Sequence, residues 1–187
     1  MELFNAFLNR YPPCENLKKP DSVLLKKYQG ILPQSLLDFW KKYGFGNYGD
    51  GFFKIIDPDE YKDNLNEWLC GESSDRIPIM LTGFGNIIYY RKISEDVDDV
   101  CMVNIHYRNT MLCAYSFENF FNFFFSDEET EEILNKKLFN EAIKKLGKLE
   151  EKEIFYFAPA LVWGGSEKLE FVKKGSALVH QVLLLQM

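Results

Sequence analysis

Along this chain apolar residues recur first at helical spacing, then at alternate positions, then at helical spacing again. Residues 2–9 form a short apolar-periodic segment, YPPCENLKKP reads as a loop, and DSVLLKKY reads as a second short helix. In LPQSLLDFWKKY, Leu36, Trp40 and Tyr43 fall at i, i+4 and i+7, and Leu37 widens the stripe. Pro33 suits the first turn of this helix, and Lys41 and Lys42 suit the negative end of its dipole. Gly44 stands where a left-handed cap residue with positive φ belongs. FFKII follows as a strand. DPDEYKDNLNEWL then opens with Asp57 as N-cap, Pro58 at N1 and Glu60 at N3, a capping-box pattern. Ile56 and Tyr61 take the staple positions, and Tyr61, Leu65, Trp68 and Leu69 form the buried stripe.

The middle of the chain changes period. IPIMLTG, NIIYYRKI, DVCMVNIHY and TMLCAYS alternate as strands of an antiparallel meander, separated by GFGN, EDVDD and an RN turn. In the third of these, Cys101, Val103, Ile105 and Tyr107 share one face, while Met102, Asn104, His106 and Arg108 share a mixed face expected to meet solvent. Helical spacing returns in FENFFNFFF behind Ser116, where Phe117, Phe120, Phe121 and Phe124 make a core stripe and Phe123 and Phe125 are surplus to it. Ser126 and Glu129 form a second capping-box pattern at the head of DEETEE, and Leu134, Leu138, Ala142 and Leu146 carry the helix toward Gly147. IFYFAPALVW reads as a buried strand-like run that Pro159 pushes to a sheet edge, and Ser176 caps a last apolar helix in which His180 is expected to be packed. The sum is an α+β fold: one domain over residues 1–187, with a central, mostly antiparallel sheet flanked by helices.

Chemistry adds little to this picture. GFGNYG matches G-x-G-x-x-G, but here a helix enters the glycines and a strand leaves them, the reverse of a dinucleotide site. Asp57, Asp59 and Glu60 resemble a metal cluster, yet helix-start chemistry accounts for them. The four cysteines form no C-x-x-C pair and the chain holds only two histidines. Four reduced thiols are therefore expected. No catalytic residue, cofactor-binding residue or metal ligand is assigned.

Composition narrows the partners. Hydrophobic residues make up 47% of 187 residues, phenylalanine alone occurs 17 times, and the net charge is −6. That is enough apolar material for a substantial core, and the acidity disfavours nucleic acid while favouring basic partners. The opening MELFNAFLNR lacks the basic and apolar regions of a signal peptide, and no run is long enough to span a membrane. A cytoplasmic protein is expected.

The arrangement of motifs resembles the GAD-like family, to which immunity proteins of bacterial type VI secretion belong. The similarity rests on LPQSLLDFWKKYGFGNYGDGFFKIIDPDEY, the Trp68–Leu69 helix end, TGFGNIIYY, FNEAIKKLGKLEEKEIFYFAPALVWGG and LVHQVLLLQ. The signature positions Leu36, Trp40, Gly44, Gly46, Asp57, Pro58, Pro159, Gly164 and Gly165 read as core and turn residues, so they report the fold. EDVDD and the Phe-rich helix look particular to this chain and are where specificity is expected.

The resemblance implies a cytoplasmic inhibitor that occludes a cognate toxin, expected to be a basic nuclease. An acidic inhibitor presents carboxylates where phosphates would otherwise lie. The candidates are Asp59, Asp63 and Glu67 on one helix, Asp96, Asp98 and Asp99 in a loop, and Asp127, Glu128 and Glu131 at a helix start. Phe123 and Phe125 are the candidate aromatic anchors. Two other readings stay open at this point: a regulatory or scaffold domain for an endogenous partner, and a small-ligand protein or enzyme using Asn104, His106 and Arg108.

Overall fold

Alternation in the middle of the chain produces the central element of the computed structural model, which describes residues 2–187. Six strands, β1 (Gly46–Tyr48), β2 (Phe53–Ile55), β3 (Arg76–Thr82), β4 (Ile87–Lys92), β5 (Asp98–Asn104) and β6 (Asn109–Ala114), lie side by side in chain order. Every neighbouring pair is antiparallel. A separate antiparallel pair joins β7 (Glu153–Phe157) to β8 (Val172–Ser176).

Helices cover both faces of the sheet. On the first face Phe53, Ile88, Tyr90, Val100 and Met102 meet Phe7 of α1 (Asn5–Arg10), Trp40 of α3 (Gln34–Lys42) and Phe139 of α7 (Lys136–Leu146). This core draws on both ends of the chain, from Phe4 to Val172. On the second face Leu81, Ile87, Tyr89, Cys101 and Val103 meet Tyr61 and Leu65 of α4 (Pro58–Trp68) and Ala177 and Leu184 of α8 (Ala177–Leu185). The solvent-facing side expected for β5 therefore does not exist: Met102 is fully buried, and the strand ends at Asn104. The expectation assumed one wet face, but this sheet is long enough to carry a helical layer on each side.

The two sheet edges differ. At β1 the chain segment around residues 13–18 closes the edge, with Phe45 and Lys18 exchanging backbone hydrogen bonds of 2.7 and 2.9 Å and Cys14 N–H bonding the Asn47 carbonyl at 3.0 Å. Gly44 makes that closure possible. Its φ is +103°, as a cap residue following α3 requires, and a Cβ there would lie 2.6 Å from the Lys18 carbonyl oxygen. At β6 no backbone hydrogen bond reaches the outer side among the described residues.

Three local expectations shift. Helix α5 (Phe117–Asn119) runs into a π turn, Phe120–Phe124, and this wider turn advances the inward position by one residue. Phe125, not Phe124, completes the buried stripe. The N-cap of α6 (Glu128–Ile133) is Asp127, which accepts the Glu129 N–H at 2.9 Å, while the Ser126 hydroxyl donates back to the Asn122 carbonyl. Strand β7 ends at Phe157, before the cis Ala158–Pro159 peptide, so Pro159 follows the strand rather than lying in its edge.

Candidate partner-binding surface

The residues proposed for partner contact divide by what they already hold. Asp99 is 5% exposed and grips the Arg91 guanidinium through both of its oxygens. Asp98 accepts the Phe117 N–H at 2.7 Å and the Tyr90 hydroxyl at 3.4 Å, tying the β4–β5 loop to the start of α5. Asp59 accepts from Lys27 and from the Tyr28 hydroxyl, each at 2.6 Å. Burial works against the Asp59 charge, but these two donors hold the carboxyl below its ordinary value. Glu131 Oε1 accepts from Arg10 Nε at 3.0 Å and the Tyr11 hydroxyl at 2.8 Å, with Lys136 Nζ at 3.5 Å. These four carboxylates fasten the fold internally.

Phe125 is a plain correction. At 1% exposure it packs 4.7 Å from the Phe7 ring and 5.1 Å from the Phe53 ring, which removes it as an anchor for a partner. Phe123 points the other way and is 67% exposed.

What remains outward is Asp63, Glu67, Asp96, Phe123, Asp127 and Glu128. Among the described residues none of these carboxylates makes an ion pair. They do not form one surface. Asp63 and Glu67 lie on α4, over the second face of the sheet; Phe123, Asp127 and Glu128 lie on the first-face layer. Asp96 sits in the β4–β5 loop at one end of the sheet.

Sequence reasoning missed the neighbourhood of β6. Tyr115 follows that strand at 82% exposure, Leu112 is exposed on it, and Glu118 is exposed on α5 without an ion pair among the described residues. The signal was present in part: TMLCAYS carries no charge and closes a meander, whose last strand is an edge unless another strand joins it. The strand within IFYFAPALVW does not join that edge; it is β7 and pairs with β8.

The Asn104/His106/Arg108 group also lies differently than expected. The Asn104 side-chain oxygen accepts the backbone N–H groups of His106 and Tyr107, both at 3.1 Å, and so closes the turn after β5. His106 is buried, with Nε2 donating to the Phe84 carbonyl at 2.8 Å and Nδ1 unpartnered. Burial pushes its imidazole below the ordinary range. Arg108 reaches the Leu185 carbonyl at 3.4 Å. A cavity of about 30 Å³ beside His106 has room for a water rather than a substrate.

A larger cavity, about 360 Å³, lies between α2 (Ser22–Tyr28), β2 and the start of α4. Lys54 lines it, is almost fully buried, and donates to the Asn47 side-chain oxygen and the Glu150 carbonyl. Burial pushes the Lys54 amine down to about 8. Six of the other charged residues lining it close on one another as Lys18–Glu151, Lys27–Asp59 and Lys152–Glu60 pairs. Among the described residues no group of three or more His, Cys, Asp or Glu side chains is placed to hold a metal ion, and all four cysteines are free thiols.

Comparison with known proteins adds the following. The family model described as the GAD-like domain matches residues 2–106. The model described as T6SS immunity protein Tdi1, C-terminal, matches residues 114–187. Among solved structures, the crystal structure of Atu4351 from Agrobacterium tumefaciens superposes with a TM-score of 0.75 at 20% identity, over 98% of this chain and 88% of that one. At that identity the likeness concerns the fold. No curated protein matches the chain.

Proposed function

Because the chain belongs to the GAD-like family, and its C-terminal part matches a type VI secretion immunity protein, we propose that it binds and neutralises a cognate antibacterial toxin. The toxin is a basic nuclease, met in the cytoplasm, and inhibition is by covering its active site without turnover. The match over residues 114–187 carries the immunity reading. The nuclease reading is supported by charge: the net charge is −6, and outward carboxylates such as Asp127 and Glu128 are not neutralised by ion pairs among the described residues. A nuclease collects Lys and Arg around its phosphate site, and such a site attracts these groups.

A non-catalytic role is supported by the bonding near His106, where Asn104 Oδ1, His106 Nε2 and the Arg108 guanidinium are each engaged by backbone groups. Among the described residues no helix is long and apolar enough to cross a membrane.

The test is co-expression with the toxin encoded by the adjacent gene. Rescue of growth together with a stable purified complex is the expected result. A toxin that still kills, or that fails to associate at about micromolar concentration, overturns the reading in favour of a scaffold domain.

A further inference from the structure

We infer that the toxin docks by adding an extended basic segment to the open edge of β6, as a seventh strand of the sheet; this rests on the immunity reading above. Strand edges expose a row of unpaired N–H and C=O groups, and folded proteins blunt them with charge, proline, a bulge or a covering segment. The β1 edge follows that rule, closed by Pro13 to Lys18. Strand β6, NTMLCA, carries neither a charge nor a proline, and no backbone hydrogen bond reaches its outer side among the described residues. A single bulge at Cys113, opposite the Val100–Cys101 step, twists its C-terminal end. That leaves Asn109–Leu112 in regular register with Cys101–Asn104, a pairing frame for a short partner strand.

The surroundings specify the partner's chemistry. Asp98 bonds the Phe117 N–H, so the loop bearing Glu95 and Asp96 is drawn to the start of α5, where Glu118 lies. These three carboxylates are exposed and make no ion pair among the described residues. They stand at the C-terminal end of β6 with Tyr115 beside them, and the π turn carrying Phe123 packs along the same strand. Main-chain bonds along Asn109–Leu112 would supply register, and Tyr115, Leu112 and Phe123 the apolar anchors. Lysine or arginine in the added segment would meet the carboxylates. A second copy of this chain is the poorer fit, because each copy brings a charge of −6 to the contact.

The experiment is amide hydrogen exchange on the full chain, alone and bound to a catalytically inactivated form of the adjacent-gene toxin. Amides of Asn109–Ala114 are expected to exchange at least about tenfold more slowly in the complex. Leu112→Lys, a substitution at an exposed position, is expected to weaken the complex about tenfold or more. A complex that forms with β6 exchange unchanged overturns strand addition and leaves the immunity reading intact. Protection of β6 in the free protein that grows with concentration assigns the edge to a second copy and likewise overturns it. If no complex forms, the immunity reading fails first and this inference falls with it.

Discussion

Glu131 offers one oxygen to three donors, and its position shows how a charge that looks available can be fully engaged. Arg10, Tyr11 and Lys136 converge on Oε1, and Lys136 also lies 4.4 Å from the Tyr11 ring centroid and 4.2 Å from that of Phe52. The network joins α1 to α6 and α7 across most of the chain length. Truncation to Glu131→Ala strands these donors, and a cost of about 2 kcal/mol is expected in urea denaturation. The association rate with the toxin should stay unchanged, since the carboxylate is not presented outward; a slowed association with unaltered stability would return Glu131 to the interface. His106 gives the residue scale a pH signature. Burial lowers the folded-state pKa, so as pH falls below the ordinary value of about 6.5 the unfolded chain takes up a proton that the folded chain resists. Stability contributed by the neutral ring is therefore present above that pH and is lost as pH falls below it. Burial lowers the His180 imidazole as well, so its contribution has the same sign. Denaturation midpoints between pH 8 and 5 should fall toward acid, and His106→Gln, which keeps a donor for the Phe84 carbonyl, should flatten most of that slope.

At the scale of elements, the Phe-rich segment decides between core and contact by one turn. FENFFNFFF read with a uniform helical period assigns Phe124 inward and Phe125 outward; with the π turn at Phe120–Phe124, Phe125 is the buried one and Phe124 is half-buried against the core. Phe125→Ala should therefore destabilise by about 3–5 kcal/mol, as expected for a buried aromatic. Phe123→Ala should leave stability within about 0.5 kcal/mol and weaken toxin binding instead. The reverse pairing, seen by denaturation and by titration with the toxin, would place the segment in a regular helix. The same segment marks the limit of local reading. The α3 stripe, the Asp57 cap and the Gly44 conformation were all legible, because each depends on neighbours within one or two turns. A π turn, the Asp99–Arg91 grip and the burial of Met102 depend on what packs from a distance, and pattern alone gives no sign of it. The acidic groups were found as residues, but which of them face outward was set by partners such as Tyr28 and Arg10, far away in sequence.

For the molecule as a whole, the distribution of charge matters more than its sum. Ion pairs consume Asp59, Asp99 and Glu131, while Asp63, Glu67, Asp96, Asp127 and Glu128 remain outward and unpaired. Exposed pairs of this kind add little affinity, about 0–1 kcal/mol each, but their summed field steers a basic partner over a distance set by ionic strength. Their effect should therefore appear in the rate of association and scarcely in dissociation. Stopped-flow measurement with the inactivated toxin should show association slowing by about tenfold or more between low salt and about 0.5 M salt. Reversal of one outward group then locates the approach. Asp127→Lys with Glu128→Lys lies beside Phe123 and near the β6 edge layer, whereas Asp63→Lys with Glu67→Lys lies on α4 over the opposite face. The first pair should remove most of the salt dependence and the second should leave it nearly intact, because steering is strongest where the final contact forms. Equal effects from the two pairs would mean that the field acts through net charge alone, and an association rate indifferent to salt would remove the basic character assigned to the toxin.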